Sequence, residues 1–324
     1  MLRRCQRVTA STKCRLDPQG ITKLHMDLRL DRLATLYLVS PLLRLASGGQ
    51  RTVPILMYHS ISDDDESNTH AYYRTKTSRT LFAAQIKYLH ESGYTTCSLA
   101  QAIQHLQPQT RGLAKAVVIT FDDGYRDFYR HAFPVLSQYG FSATVFLPTA
   151  YIGDHPVQFK RKDCLTWAEV RDLNKNGILF GSHTVTHPQL RELSGPAINS
   201  EIANSKAMIE EKLGSAVDSF AYPYAFPQTD SDFTKMLRDS LGRAGYQNGV
   251  CTIVGRATRH SQPFFLERLP VNSCDDRALF SAKLAGAYDW IGTSQYLAKM
   301  VKTRFRGPVG AAKHSISKDF PAVQ

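Results

Sequence analysis

Two adjacent carboxylates, Asp122 and Asp123, leave the apolar run AVVITF (116–121) within Thr-Phe-Asp-Asp-Gly-Tyr (120–125). Acids in such a place are costly unless a cation or a reaction employs them. The competing reading is a pair of caps for the helix that follows. Further along, His183-Thr-Val-Thr-His187 continues the run ILFGS. Two histidines four apart reach one ion when the segment is helical or tightly turned. Together with Asp123 they offer two nitrogens and one carboxylate and leave coordination positions open. That set suits a catalytic Zn²⁺, with Co, Ni or Fe as further candidates.

A divalent cation there polarises a carbonyl and acidifies water, which points to hydrolysis. Asp122, beside the ligand set but outside it, is the expected general base. The backbone N–H of Tyr224, in Tyr222-Pro223-Tyr224, is a candidate to hold a developing oxyanion. His59, after VPILMY, is the candidate acid for the departing amine. Taken alone, Tyr222-Pro223-Tyr224 reads better as a proline-shaped turn with two half-buried tyrosines. Trp167 reads as core, and His131, His155 and His260 as surface or packing residues, His260 being a weak candidate for a mobile acid.

The elements that must position these groups alternate. VPILMYH (53–59), AVVITF (116–121), SATVFLPT (142–149), ILFGSH (178–183), DSFAYP (218–223), GVCTIVG (249–255) and FFLERLPV (264–271) are β-branched and apolar, and read as buried strands. Helical patterns fall between them: Phe82, Ile86 and Leu89; the stretch 126–139; a capping box at Thr166 and Glu169; 197–213; and 231–244. Strand–helix alternation implies a parallel sheet. Seven strands in one body fit a distorted (β/α) barrel, TIM-barrel-like, better than an open sheet with a second domain. The expected class is therefore α/β, with a single catalytic domain. Each polar cluster then sits at the carboxyl end of a strand, where such barrels carry their active sites.

The 324 residues, 43% hydrophobic and 21% charged, describe a globular chain. The formal charge of +12 gathers at the ends, in Arg3–Arg15 and Lys299–Arg306. No nucleic-acid motif or stacking pattern accompanies it, so no nucleic-acid partner is expected. The six cysteines lack metal spacing and read as free or buried thiols of a reducing compartment. The apolar stretch Leu33–Ala46 is broken by Pro41 and Arg44 and falls short of the roughly 20 residues of a membrane span. It is expected to form an amphipathic helix that packs on the domain or touches a membrane surface. The expected organisation is a basic extension over 1–50, a catalytic unit over 51–275, and a helical, basic tail over 276–324 with a disordered end. Met26 is an alternative start.

At these residues the sequence resembles the polysaccharide deacetylase (NodB-homology) family, the fourth family of carbohydrate esterases, over roughly residues 53–271. The family's T-F-D-D-G motif stands at Thr120–Gly124 and its H-[ST]-x-x-H motif at His183–His187. VPILMYHSI (53–61) resembles the opening strand of bacterial members. The resemblance implies a distorted (β/α) barrel, Asp122 as base, and Asp123, His183 and His187 as ligands. Two motifs depart. Where the family has R-x-P-Y, this chain reads Ala221-Tyr222-Pro223-Tyr224, without the arginine that would orient the base. No L-x-H motif is visible, and RLPVN (268–272) stands in its region.

The expected activity is metal-dependent removal of N-acetyl groups from a sugar or polysaccharide. The expected partner is an acetylated glycan or lipid-linked sugar, with peripheral membrane contact possible. The cytoplasm or the inner membrane face is the expected location. The alternatives are an amidohydrolase acting on a small amide or cyclic imide, and a glycan-binding member with weak catalysis. Asp122 separates the latter, because a binder needs no free carboxylate beside its metal.

Overall fold

The computed structural model describes residues 29–45, 51–66, 68–109 and 115–305. The basic stretch 3–15, the alternative start at Met26 and the carboxyl-terminal end lie outside them.

Seven parallel strands form the barrel: β1 (Ile55–Tyr58), β2 (Ala116–Phe121), β3 (Thr144–Leu147), β4 (Leu179–Ser182), β5 (Ser219–Ala221), β6 (Asn248–Val254) and β7 (Leu266–Pro270). The neighbour order is β1-β7-β6-β5-β4-β3-β2, and β2 pairs back with β1, Ile55 opposite Val118 and Tyr58 opposite Phe121. The ring is thus closed. All six residues of β2 are buried, as expected of a parallel strand covered on both faces. The register slips between Val250 and Val254 where β6 meets β7, one source of the distortion.

Alternation along the strands sends Ile55, Val118, Phe146, Ala221, Val250 and Leu266 into an inner cluster. Helix Leu99–Leu106 packs onto that cluster through Leu99, Ala102 and Leu106. The space is tight at Gly181, where an added Cβ would lie 2.5 Å from the Phe146 ring. The larger cluster lies between the strands and the surrounding helices. It takes in Phe82, Ile86 and Leu89 from one helix and Ile198, Ile202 and Ile209 from another. The capping box at Thr166 and Glu169 opens helix Trp167–Lys175, and Trp167 is buried beside it.

Two elements differ in detail from their sequence patterns. The stretch from 126 begins as a π-helical turn, Phe128–Ala132, and becomes α-helical only over Phe133–Gln138. Pro134 has no N–H to return to the preceding turn, so the helix widens there. The fifth strand stops at Ala221 because Tyr222 onward turns into the site.

The apolar stretch near the amino terminus is a continuous helical segment over 30–45 with a central π turn, Thr35–Val39. Polar contacts dock it, among them an ion pair of Arg32 with Asp276. The Tyr288 hydroxyl donates to Asp31 at 2.7 Å, and Trp290 Nε1 donates to Thr35 Oγ1 at 3.1 Å. Beyond β7, helix Arg277–Leu284 buries Phe280 in the main core, and helix Trp290–Phe305 follows. No helix among the described residues is long and apolar enough to cross a membrane.

Candidate metal centre

The site lies at the carboxyl ends of the strands. After Phe121 the chain turns at Asp123 (φ 68°) and Gly124 (φ 58°). A Cβ on Gly124 would lie 2.9 Å from Leu147, so only glycine fits this turn. The turn carries Asp122 and Asp123, both almost fully buried, back over the barrel mouth.

The second histidine motif is a tight turn, not a helix. Thr184 (φ 69°) and His187 (φ 57°) take left-handed conformations. Ser182 Oγ accepts from the Thr184 N–H, and Thr184 Oγ1 from the His187 N–H. The Glu201 carboxylate accepts from the N–H groups of Val185 and Thr186 and from the Thr186 hydroxyl, at 2.7–2.9 Å. Glu201 was not evident from sequence, since an acid on a helix reads as a solvated face.

These turns bring three ligand atoms together. Asp123 Oδ1 is 3.2 Å from His187 Nε2 and 3.7 Å from His183 Nε2. Four ligand atoms around a tetrahedral zinc lie about 3.3 Å apart. His183 Nδ1 contacts the Ala221 carbonyl at 2.8 Å. A carbonyl only accepts, so Nδ1 carries the proton and Nε2 presents its lone pair to the site. Burial pushes the His183 imidazole down to about 4, so it is neutral, as a ligand must be. Asp123 Oδ1 is buried with no hydrogen-bond partner. An orphaned carboxylate oxygen converging with two imidazoles, all buried, fits a divalent cation: Asp123, His183 and His187 could hold one.

Asp122 points elsewhere. Arg268 on β7 grips it with both terminal nitrogens, Nη1 to Oδ1 and Nη2 to Oδ2, each 2.7 Å. The guanidinium is fully buried and also donates to the Cys251 carbonyl and to Thr120 Oγ1. Burial alone would raise the Asp122 carboxyl; the charge and hydrogen bonds of Arg268 outweigh it and hold Asp122 below the usual carboxylate range. This corrects the expectation that no arginine orients the base. The guanidinium is present, supplied from RLPVN on β7 instead of the segment before Pro223. A lone Arg inside an apolar strand was the signal available in the sequence.

His59, just after β1, places Nε2 4.0 Å from Asp122 Oδ2, with about a fifth of its side chain exposed (21%). Burial pulls its pKa down against the opposing pull of Asp122 and Asp123. Tyr224 takes a left-handed conformation (φ 60°), is half-exposed, and sets its ring 4.6 Å from that of His187. Its carbonyl accepts from Thr252 Oγ1. Phe159 and Tyr151 extend an aromatic rim beside His187. His131, His155 and His260 form no part of this cluster.

A family model described as polysaccharide deacetylase matches residues 110–249. YxkH of Bacillus subtilis (strain 168), a polysaccharide deacetylase by name, is 32% identical over 230 residues, 71% of this chain and 75% of that protein. The poly-beta-1,6-N-acetyl-D-glucosamine N-deacetylase of Escherichia coli (strain K12) is 32% identical over 139 residues, 40% of this chain and 20% of that protein. Among solved structures, the Streptococcus pyogenes deacetylase PplD in complex with acetate superposes with a TM-score of 0.63 at 25% identity, over 73% of this chain and 99% of that one. IcaB from Ammonifex degensii shares the fold, with a TM-score of 0.59 at 23% identity over 73% and 97% of the two chains. Agreement across three quarters of YxkH, on a barrel shared with a solved deacetylase, makes this chain a member of the polysaccharide deacetylase family and a hydrolase of carbon–nitrogen bonds.

Proposed function

We propose that this chain removes the acetyl group from N-acetylated amino sugars of a glycan, using Zn²⁺ held by Asp123, His183 and His187. A relative named for N-deacetylation of poly-N-acetylglucosamine supports the substrate class. The N₂O donor set supports zinc. A bound divalent cation supplies Lewis acidity to the amide carbonyl.

The remaining roles belong to the chain. Asp122 takes a proton from the attacking water, its carboxylate kept ionised and aimed by Arg268. The Tyr224 N–H faces the oxyanion as the carbonyl carbon becomes tetrahedral. His59, across Asp122, gives a proton to the departing nitrogen. The rim of Tyr151, Phe159 and Tyr224 offers ring faces to the sugar. The observation that carries this reading is Asp122: a buried, arginine-held carboxylate beside the ligand set but outside it.

The catalytic unit in this reading is 51–275, flanked by 1–50 and 276–324. Exposed leucines on segment 30–45, Leu38, Leu42 and Leu45 among them, support peripheral contact with a membrane; in this reading the chain acts in the cytoplasm or at the inner membrane face. A lipid-linked sugar is then within reach as substrate.

Purified protein loaded with Zn²⁺ and offered N-acetylglucosamine oligomers should release acetate. Chelation and Asp122→Asn should each abolish the release. No acetate from any acetylated glycan, with zinc demonstrably bound, overturns the reading.

A further inference from the structure

Between β3 and helix Trp167–Lys175 a short antiparallel hairpin, Gln158–Phe159 paired with Lys162–Asp163, overhangs the metal centre. Its two turn residues, Lys160 (φ 49°) and Arg161 (φ 64°), both take left-handed conformations without being glycine. Such residues cost of the order of 1–3 kcal/mol each and persist only where their surroundings impose them. The six non-glycine residues of positive φ among those described are Asp123, Lys160, Arg161, Thr184, His187 and Tyr224. Positive φ at both positions is what a two-residue hairpin turn demands, and this turn sits over the same cleft as the other four.

The surroundings fix the hairpin firmly. Lys162 Nζ donates to Ser60, Ser62 and Asp64 at 2.8–3.0 Å. The Asp163 carbonyl accepts from the Arg126 N–H. Phe159 packs on Tyr151 and His187. What this scaffold delivers is the Lys160 ammonium. Its Nζ lies 3.2 Å from Asp123 Oδ2, 4.5 Å from the Phe159 ring centre and 5.6 Å from that of Tyr224. The two oxygens of Asp123 are thereby divided. Oδ1 faces the histidine nitrogens and has no hydrogen-bond partner; Oδ2 belongs to the lysine.

We propose that Lys160 is a positioning residue that tunes the metal centre: it reserves Asp123 Oδ2, leaves Oδ1 as the single ligand atom, and draws on the carboxylate's charge, so that the cation is held less tightly. This rests on the reading of Asp123, His183 and His187 as the metal set. Two consequences follow from elementary electrostatics. A carboxylate that shares its charge with an ammonium donates less to a metal, and a fixed positive charge nearby repels a dication, strongly so at a half-shielded site. A cation held this way keeps more of its own charge for the substrate's carbonyl.

The test is metal affinity, read by competition with a chromophoric chelator for Zn²⁺ on the full chain. Lys160→Met should bind Zn²⁺ roughly ten-fold more tightly than the parent. Lys160→Gln, which keeps a hydrogen-bond donor without the charge, should tighten likewise, and Lys160→Arg should stay within about two-fold of the parent. A lysine that merely held the carboxylate in place would give the opposite sign, since losing such a partner typically weakens binding by about 10–100-fold. Unchanged or weaker binding by Lys160→Met, or tightening by Met but not by Gln, overturns the proposal while leaving the metal set standing. A parent chain that binds no Zn²⁺ overturns both.

Discussion

Arg268, on the last strand of the barrel, holds both carboxylate oxygens of Asp122, on the second, at 2.7 Å each. Neither side chain touches solvent to any extent. Removing one partner of such a buried pair leaves the other uncompensated, at a cost of about 3–5 kcal/mol. Arg268→Met should therefore lose stability on that scale in urea unfolding. Arg268→Met combined with Asp122→Asn should recover part of it, since no lone charge is then buried. Two independent, additive losses would show that the pair is not coupled.

The same pair sets a pH dependence. The guanidinium holds Asp122 below the ordinary carboxylate range, so the base stays ionised to lower pH than a free aspartate, whose pKa is about 3.9. Its contribution to stability is likewise present above that value and lost as pH falls through the depressed one. Arg268→Lys keeps a charge but not the two-point grip, and the carboxyl should rise. The acid limb of kcat/KM should then move to higher pH. An unmoved limb would mean that another group governs it.

Metal removal should be visible without any substrate. A cation present at 100 times its Kd adds about 2.7 kcal/mol to the folded state. Chelator should accordingly lower the thermal midpoint of the zinc-loaded protein by several degrees, and His187→Ala should erase the zinc-dependent part. His187 is the sensitive choice because its ring also packs on Phe159 and Tyr224, so His187→Gln is needed to keep the volume. A zinc-dependent shift that survives both substitutions would remove His187 from the ligand set.

For His59, the relevant contrast is between leaving groups. A proton donor produces an alkaline limb, and because burial lowers the pKa of His59 that limb should fall at lower pH than for a free histidine. His59→Ala should reduce kcat on an N-acetyl sugar by about 10²–10⁴-fold and abolish that limb. Hydrolysis of an activated aryl acetate, whose leaving group needs no proton, should be nearly unaffected. Equal losses on both substrates would make His59 a positioning group for Asp122, 4.0 Å away, and not the acid.

The barrel was legible because seven apolar runs alternate with capped, amphipathic stretches, and parallel strands buried on both faces leave that mark. The convergence of Asp123, His183 and His187 was legible because such residues are chemically rare at strand ends. What stayed hidden is long-range. Arg268 meets Asp122 from the far side of β1 in the closed ring, and a lone Arg in an apolar strand does not by itself say which carboxylate it meets. Lys160 and Glu201 look like solvated charges, and their contacts with Asp123 and with the 184–186 turn exist only once loops are folded over the mouth. The hairpin at 158–163 has no alternation to betray it, because its strands are two residues each.

The helical segment over 30–45 has two unlike sides. It is fastened on one side by Asp31 and Thr35, and on the other presents Tyr37, Leu38, Leu42 and Leu45, each more than 60% exposed. Leu38, Leu42 and Leu45, four and three residues apart, lie along one face of a helix, and Tyr37 flanks it. The chain as a whole carries +12, which favours an anionic surface. An apolar face with a basic chain suits the boundary of an anionic bilayer, where a fully buried leucine is worth about 1.5–3 kcal/mol. The protein should co-sediment with vesicles containing phosphatidylglycerol, less so at high salt, and weakly with phosphatidylcholine alone. Leu38→Asp with Leu42→Asp should lower vesicle binding at least ten-fold while leaving acetate release from a soluble oligomer unchanged. Binding untouched by the double substitution would place the contact on another face, and no binding at low salt would remove the membrane from the functional reading altogether.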